Sequence, residues 1–512
     1  MPPRTASAPK PVSQLTRFPR LHYHARRWEE GRRKMLRMRV PHRAIIATLI
    51  AASLGLSHAA RAHASAADFP QPPSLRVAVN FWKNIFGKYS EHQILIVDAE
   101  HLGRVYAVLD YRDLVARGES AVTVEQVERA GMADEKEHIH DLLIGLDARQ
   151  GNDAGLTDEE RRIWNLFAKS PSPGKFAAAA DPSRIRAQRG LRERFAEGIR
   201  VSRRYLPEME EIFRSEGLPV ELTRLPLVES CFNIEAYSKV GAAGIWQFMR
   251  STGRDYMHIG GVLDERRDPL RATRAAAEHL QANFAALGSW PLAITAYNHG
   301  RAGMMRAVSD TGTTDIGTIV RQYHGSLFGF ASRNFYAEFL AAVAVEGAAE
   351  QYFGPLDFDT PFRGDEVPLQ QALAGKVAAS CAATSAAELA VLNPAVDSAV
   401  FRGRGNIPRG YLLRVPPGSA GQFAQRLAQI AADARVVPEA HIRATRVAKR
   451  STGTKKTVTR TASAKRLKPT AKRSGASGSK TRRPSRRHAT SRVAESVPLR
   501  NGQIAVASPP DA

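Results

Sequence analysis

One glutamate, Glu229, is the residue of this chain best placed for acid–base chemistry. It stands near the end of the segment LPLVES (225–230), and two more segments follow it, GAAGIWQFM (241–249) and AYNHG (296–300). Together they surround one carboxyl group with apolar, amide and phenolic side chains. A carboxyl group in such a setting keeps its proton near neutral pH. The three segments therefore predict a proton donor at Glu229.

Four apolar residues could surround the Glu229 carboxyl group, and no such surroundings are predicted for the two nearest acids in the sequence. Val228, Ile245, Trp246 and Phe248 could shield the Glu229 carboxyl group from water, whereas Trp246 could equally be a core residue. A lone glutamate at a helix end is usually a solvated surface group, and this is the reading for Glu221 and Glu235. Only the convergence of the three segments favours catalysis at Glu229.

The order of these segments resembles the catalytic domain of lytic transglycosylases, in particular the family of membrane-bound lytic murein transglycosylase D. The resemblance implies a lysozyme-like SLT fold and cleavage of the β-1,4 bond between N-acetylmuramic acid and N-acetylglucosamine in peptidoglycan. It also implies that one glutamic acid protonates this bond and then deprotonates the sugar's own 6-hydroxyl, which leaves a 1,6-anhydro end. Ordinary glycosidases use two carboxyl groups, so the absence of a second one from the motifs fits this mechanism.

By motif position, the resemblance implies that Glu229 is the catalytic acid and that the substrate is bound by Ser230, Ser238, Gln247, Met249, Tyr297 and Asn298. Ser238 and Gln247 would orient the muramyl group, and Tyr297 would form a hydrogen bond near the acid. Structural roles are open for three of these positions: Ser230 as a brace of the helix end, Asn298 as a support of the local backbone, and Met249 as a core residue.

Two residues depart from the family pattern. Arg250 stands where these enzymes often have proline, and His299 stands where they usually have a small residue. Because both adjoin functional positions, they bear on substrate preference and leave the chemically required groups in place.

The charge of the chain is concentrated at its ends. Of the formal net charge of +24, residues 1–43 supply +10 and residues 440–494 supply +18, which leaves −4 for the rest of the chain. A nearly neutral body is not typical of a nucleic-acid-binding protein, so we expect no nucleic-acid partner. The 440–494 segment is too polar to fold. It either docks on an anionic envelope polymer or lipid headgroups, or is a solvated tail.

Residues 44–56 (AIIATLIAASLGL) form a short apolar run preceded by arginines and followed by small residues to 66. This order is typical of a secretory signal, and the alternative is an uncleaved anchor helix. The run begins late, so Met35 or Met38 would be a better initiator than Met1. We expect an exported protein of the periplasm or cell envelope. Association with the outer membrane is open, although no cysteine directly after the run could accept a lipid.

Neither a cofactor nor a metal ion is expected. Cys231 and Cys381 are the two cysteines of the chain, too few for a disulfide framework. His258, His279 and His299 lack the spacing of metal ligands, and no phosphate-binding glycine loop is evident. We expect a monomer.

The predicted fold is mainly α, in six segments: a basic extension (1–43), the signal segment (44–66), a mostly helical region (74–205), the catalytic domain (206–350), a small α+β module (360–420) and a disordered basic tail (440–512). Helices are predicted over 77–85, 122–167, 185–213 and 332–345. Further helices begin at Pro219, Asp268 and Trp290, and the first of these reaches Glu229 with a bend at Pro226. A hairpin is predicted over 93–97 and 104–109.

The module of 360–420 is predicted as two helices and a strand. The first helix covers 369–377, the second ends at 392–394, and the strand covers 411–415. The pattern resembles a degenerate LysM module, a small sugar-binding fold, whose opening strand is not evident. The alternative is a packing appendage of the catalytic domain.

Three functions remain open from the sequence. The first is a peptidoglycan lytic transglycosylase. The second is a goose-type lysozyme or chitinase-like hydrolase, which would pass the intermediate to water. The third is a non-catalytic cell-wall-binding protein, against which the combination of Glu229, Gln247 and Tyr297 argues.

Overall fold

A computed structural model describes residues 68–436, with side chains to residue 430. Helices dominate, so the prediction of a mainly α fold is confirmed. In the described part of the chain, no helix has the length and apolar character needed to cross a membrane. The signal segment and the basic tail lie outside the described residues.

The α-helices, in chain order, are α1 (Arg76–Gly87), α2 (Arg112–Ala116), α3 (Ala121–Ala148), α4 (Asp158–Leu166), α5 (Lys175–Ala179), α6 (Arg192–Ser202), α7 (Leu206–Ser215), α8 (Leu225–Ser230), α9 (Arg250–Gly253), α10 (Pro269–Leu287), α11 (Trp290–His299), α12 (Arg301–Thr311), α13 (Ile316–Gln322), α14 (Phe330–Gly347), α15 (Ala349–Phe353), α16 (Gly375–Cys381), α17 (Ala386–Leu392), α18 (Ser398–Phe401) and α19 (Ala420–Val436). Three 3-10 turns cover Pro73–Leu75, Val220–Arg224 and Glu265–Arg267.

The strands are β1 (Gln93–Asp98), β2 (His101–Asp110), β3 (Ile185–Arg189), β4 (Ile259–Gly260), β5 (Leu263–Asp264), β6 (Asp365–Pro368), β7 (Leu373–Ala374), β8 (Asn406–Ile407) and β9 (Leu412–Val415). The first three form an antiparallel sheet of order β2-β1-β3. The pairs β4-β5, β6-β9 and β7-β8 form two-stranded sheets.

The main hydrophobic core joins the predicted N-terminal region to the predicted catalytic domain. It combines buried residues of α1, such as Trp82 and Phe86, with those of α6 to α14. The rings of Phe86 and Phe195 stack at 4.5 Å across this core. The boundary expected between residues 205 and 206 therefore runs through continuous packing.

The central strand β1 separates two cores. Leu95 and Val97 point into the main core, whereas Ile96 points into a second core with Tyr106 and Ile139. This alternation follows from the two-residue period of a strand. The sheet therefore holds helix α3 on one face and the main core on the other.

The hairpin prediction is confirmed, whereas the prediction of helix from residue 185 is wrong at its start. Residues 185–189 form β3, which pairs with β1 from Ile94↔Arg189 to Asp98↔Ile185. Only Ile185 of this strand is fully buried. With so little apolar content, the strand is not recognisable until its partner β1 is in place.

The module of 360–420 packs around a core of its own residues, such as Leu389 and Phe401, together with Leu263 of β5 and Phe423 of α19. The predicted helix over 369–377 is wrong, because residues 373–374 are β7 and α16 begins at Gly375. The opening strand that the sequence did not reveal is β6, paired antiparallel with β9. The strand expected over 411–415 is present as β9.

Candidate active site

Glu229 lies in the last turn of the short helix α8. The expected single helix from Pro219 is instead a 3-10 turn, Val220–Arg224, followed by α8 with Pro226 in its first turn. Proline suits that position because the missing N–H would be unpaired there in any case. The expected bend is therefore a change from 3-10 helix to α-helix at Leu225, just before Glu229.

Two residues with left-handed backbone end α8. Cys231 has φ 48° and Phe232 has φ 55°, a conformation that side chains other than glycine rarely adopt. Helix α6 lies against this turn so closely that a Cβ at Gly198 would stand 2.6 Å from the Cys231 carbonyl oxygen. Such strained backbone is found where packing fixes a functional residue, and here it fixes the position of Glu229.

The Glu229 side chain is buried, with 6% of its surface exposed. Burial raises the pKa of its carboxyl group to about 8, and the nearby Glu338 carboxylate adds to the shift. Desolvation disfavours the charged form, so the group keeps its proton at neutral pH. This is the protonation state that a general acid requires.

The segment 238–249 forms a tight loop over α8. The Ser230 hydroxyl donates to the Ile245 carbonyl at 3.0 Å, which joins the loop to the helix end. The Ser238 hydroxyl accepts from the Ala242 N–H at 2.9 Å. Gln247 has φ 47°, and its amide donates to the Gly244 carbonyl at 2.8 Å. These hydrogen bonds tie the loop to itself and to the end of α8.

The buried side chain of Arg266 binds the backbone of this loop. Arg266 donates to the carbonyls of Gly241 and Phe248 at 2.7 and 3.0 Å, and it pairs with Asp264 at 2.7 Å. Gly244 has φ 74°, and a Cβ there would lie 1.9 Å from the Arg266 carbonyl oxygen. The glycine is therefore required by both backbone shape and space.

Tyr297 comes from α11 and closes the site opposite α8. Its hydroxyl donates to the Trp246 carbonyl at 2.8 Å. Burial, together with the charge of Glu229, raises the pKa of Tyr297 well above its usual value. The phenol is thus neutral and close enough to Glu229 for the two groups to interact.

An aromatic group that the sequence did not predict surrounds Tyr297. The rings of Phe248 and His279 lie edge-on to it at 5.9 and 5.3 Å, and the Tyr256 hydroxyl is 3.2 Å from Nδ1 of His279. Burial lowers the pKa of His279 to about 4. The imidazole of His279 is therefore neutral, and it packs against Phe248, Tyr256 and Tyr297 without adding charge.

The remaining predicted residues divide between the cleft and the interior. Trp246 is fully buried, stacks on Phe213 at 6.0 Å and donates to the Thr273 hydroxyl. Met249 is half-buried at the start of α9. Asn298 accepts from the Ser332 hydroxyl at 2.8 Å, which ties α11 to α14.

His299 packs away from these groups. Its buried ring lies edge-on to Phe328 at 5.0 Å, and a Cβ at Gly303 would approach its Nε2 to 2.5 Å. Burial lowers the pKa of His299. The imidazole at this position thus fills space between α11, α12 and the segment before α14.

Two ionisable groups that lie outside the motifs, Glu338 and Arg186, are also near the site. Glu338, on α14, lies close enough to Glu229 for the two carboxyl groups to interact, and burial raises its own pKa to about 8. Arg186, on β3, opposes that shift, and its guanidinium lies 3.9 Å from the Phe330 ring centre. The three-stranded sheet therefore contributes a cation to the surroundings of the acid.

Within residues 68–436, no group of His, Cys, Asp or Glu side chains is arranged to hold a metal ion. Both cysteines are buried thiols. The chemistry that the described groups offer is proton transfer from and to Glu229.

Comparisons with known proteins cover part of the chain. Residues 210–320 match the family model of the transglycosylase SLT domain. Membrane-bound lytic murein transglycosylase D of Escherichia coli (strain K12) is 41% identical over 97 residues, which are 19% of this chain and 22% of that protein. The putative tributyltin chloride resistance protein of Alteromonas sp. (strain M-1) is 39% identical over 98 residues, 18% of this chain and 46% of that protein.

Among solved structures, an inactive mutant of the lytic transglycosylase Slt from Pseudomonas aeruginosa is similar with a TM-score of 0.27 and 17% identity. The match covers 50% of this chain and 39% of that one. The chain thus spans less than half the length of each of these relatives. The family match includes Glu229 and the loop and helix that surround it: residues 210–320 are similar to the transglycosylase SLT domain.

Proposed function

We propose that this protein is a peptidoglycan lytic transglycosylase whose single acid and base is Glu229. The observation that carries the proposal is a buried carboxyl group with a pKa of about 8, next to a neutral phenol, within an SLT domain. Such a group is protonated at the start of the reaction and can accept a proton later, because its pKa is close to the working pH.

The reaction begins when Glu229 donates its proton to the oxygen that bridges the anomeric carbon of N-acetylmuramic acid and O4 of N-acetylglucosamine. The bond from the anomeric carbon to that oxygen breaks, and N-acetylglucosamine leaves with a free 4-hydroxyl. The 6-hydroxyl of the same muramyl residue then attacks the anomeric carbon, and its proton returns to Glu229. No water is consumed, and the glutamic acid is regenerated.

The loop of 238–249 and Tyr297 would bind and orient the substrate. The side chains of Ser238 and Gln247 are held by hydrogen bonds to the backbone of the loop. Met249, at the end of the loop, is half-exposed. The hydroxyl of Ser230 and the amide oxygen of Asn298 are engaged within the protein, which favours structural roles for these two.

Product analysis tests this proposal. Purified peptidoglycan is incubated with the wild-type protein or with Glu229→Gln, and the fragments are analysed by mass spectrometry. We expect fragments that end in 1,6-anhydromuramic acid from the wild type alone. Fragments with reducing ends would point to a hydrolase, and a folded wild-type protein that yields no fragments would point to a binding role.

The hydrolase alternative has one observation in its favour, the presence of Glu338 near Glu229. Hydrolytic glycosidases that invert configuration use a second carboxylate as the base that activates water. If Glu338 had this role, Glu338→Gln would abolish cleavage. In a transglycosylase the same substitution leaves cleavage in place and alters its pH dependence.

The expected location is the cell envelope, because the substrate lies there and residues 44–66 have the order of a secretory signal. The LysM-like module and the basic tail would then help to hold the enzyme on its polymer. Co-sedimentation with purified peptidoglycan tests the role of the tail. A protein truncated after residue 440 should sediment with the polymer less than the full chain does.

A further inference from the structure

A cavity lies where the catalytic domain meets the module. It has a volume of about 410 Å³ and is bounded by the β4-β5 hairpin, the segment from Glu235 to Tyr237, the start of α9 and the segment from Ala395 to Asp397. Neither the motifs nor the family match assigns a ligand to it.

The two walls of this cavity are joined rigidly. The Asp264 N–H donates to the Ala395 carbonyl, and the Asp397 N–H donates to the Val262 carbonyl, each at 2.8 Å. These bonds continue the β4-β5 hairpin into the module through a bridge between Leu263 and Val396. The cavity is therefore a fixed part of the molecule that exists only when the module is docked.

The cavity adjoins the predicted substrate cleft. Tyr237 in its wall directly precedes Ser238, and Arg250 directly follows Met249. A ligand bound between Ser238 and Met249 would thus have the cavity at its side. A substituent of that ligand, a few bonds long, would reach the cavity walls.

The polar side chains of the cavity carry charge of both signs. Arg250 and Arg267 line it. Glu235, Asp397 and Tyr237 line it as well, and Tyr237 is 51% exposed. A ligand that carries carboxylates and an ammonium group matches this set, because guanidinium groups bind carboxylates with two hydrogen bonds.

We propose that this cavity binds the peptide stem of the peptidoglycan strand, and that the enzyme therefore prefers stem-bearing glycan. The inference rests on the proposed function, because the substrate has to lie in the adjoining cleft. The stem carboxylates lie against Arg250 and Arg267, and a stem amino group lies against Glu235 or Asp397. The arginine that departs from the family pattern at position 250 thereby acquires a role in specificity.

The test uses the full chain with Glu229→Gln, which binds without turnover. Its affinity is measured by isothermal titration calorimetry for soluble glycan strands that carry peptide stems and for the same strands after an amidase has removed the stems. The double substitution Arg250→Gln and Arg267→Gln is added in a second protein. Arg409→Gln, an exposed arginine outside the cavity, is the matched control.

We expect tighter binding of the stem-bearing strands, on the order of tenfold, which is about 1.4 kcal/mol. The double substitution should remove this preference and leave the affinity for stem-free strands unchanged, whereas Arg409→Gln should change neither. An equal loss for both ligands would show that the cavity binds sugar, and an unchanged preference would show that it binds no stem. Either result overturns the inference.

Failure of the proposed function is separate from these outcomes. If the proposed function is wrong, the wild-type protein forms no anhydro products. That result does not depend on whether the inactive variant prefers stem-bearing strands. Circular dichroism of each variant establishes that it is folded.

Discussion

At the scale of single residues, burial of the Glu229 carboxyl group lowers the stability of the fold at neutral pH. In the unfolded chain its carboxyl group loses its proton above its usual pKa of 4.5, whereas the folded protein holds the proton up to about 8. The folded state thus binds more protons than the unfolded state between these values, so the free energy of unfolding falls as pH rises through this window.

Glu229→Gln removes this penalty, since an amide does not ionise. We predict that the variant is inactive and is more stable than the wild type by on the order of 3 kcal/mol at pH 7. Denaturant unfolding at pH 4.5 and pH 8 measures the difference, which should be near zero at the lower pH and grow toward the higher. A difference that does not vary with pH would contradict the assignment of a raised pKa to this carboxyl group.

Glu338 gives a second test of the same site. Its charge raises the pKa of Glu229, whereas Tyr297 is neutral and Arg186 faces Glu338. Glu338→Gln should therefore lower the pKa of Glu229 and shift the alkaline limb of the activity profile to lower pH by about half a unit to one unit.

The matched control is Glu350→Gln, at an exposed glutamate of α15. Its profile of kcat/KM against pH should coincide with that of the wild type. A Glu338 variant with an unchanged alkaline limb would show that the two carboxyl groups are not coupled.

The sequence predicted Glu229 and Tyr297 because their segments are compact and the chemistry needs those residue types. It missed Glu338 and Arg186 for a physical reason. They belong to α14 and β3, where nothing in the local pattern distinguishes them from surface charges, and only the packing of the main core brings them to Glu229.

At the scale of elements, the loop of 238–249 depends on one glycine. Gly244→Ala would place a Cβ 1.9 Å from the Arg266 carbonyl oxygen at a φ of 74°. We predict a loss of about 2–4 kcal/mol in the free energy of unfolding, because backbone strain and a clash with a backbone atom add. Activity should fall as well, since the loop carries Gln247.

Gly241→Ala is the control in the same loop. Gly241 also has a positive φ, 91°, but nothing lies within 4 Å of an added Cβ. Gly241→Ala should therefore lower the free energy of unfolding by about 1 kcal/mol, because only backbone strain opposes the added Cβ. Equal losses for the two variants, measured by urea unfolding, would mean that the contact with Arg266 does not constrain the loop.

The helices of this fold were easier to predict from the sequence than its short strands. Long helices with strong caps were predicted well: Asp268 accepts hydrogen bonds from the N–H groups of Leu270 and Arg271 at the start of α10, and Gly300 ends α11. The short strands β3 and β6 were not, because each has few buried residues and is defined by its pairing partner.

At the scale of the whole molecule, a buried ion pair joins the module to the catalytic domain. Arg414 of β9 pairs with Asp268, the residue that caps α10, and Arg271 donates to the Leu412 carbonyl at 3.1 Å. Arg414 and Asp268 are both buried. Loss of Arg414 leaves the buried Asp268 carboxylate with Arg271, at 3.8 Å, as its remaining cationic neighbour.

Arg414→Met should therefore lower the free energy of unfolding by about 3–5 kcal/mol and expose the 360–420 segment to proteolysis before the rest of the chain. Arg409→Met, at an exposed position of the same module, is the control. Unfolding and digestion curves that match the wild type would show that the ion pair does not hold the module in place.

The central claim is that Glu229 directs the muramyl 6-hydroxyl, rather than water, to the anomeric carbon. The most direct measurement is digestion of purified peptidoglycan in water enriched in oxygen-18, followed by mass spectrometry of the new ends. The account predicts anhydro ends that contain no oxygen-18. Reducing ends that carry one oxygen-18 atom would contradict it and establish a hydrolase.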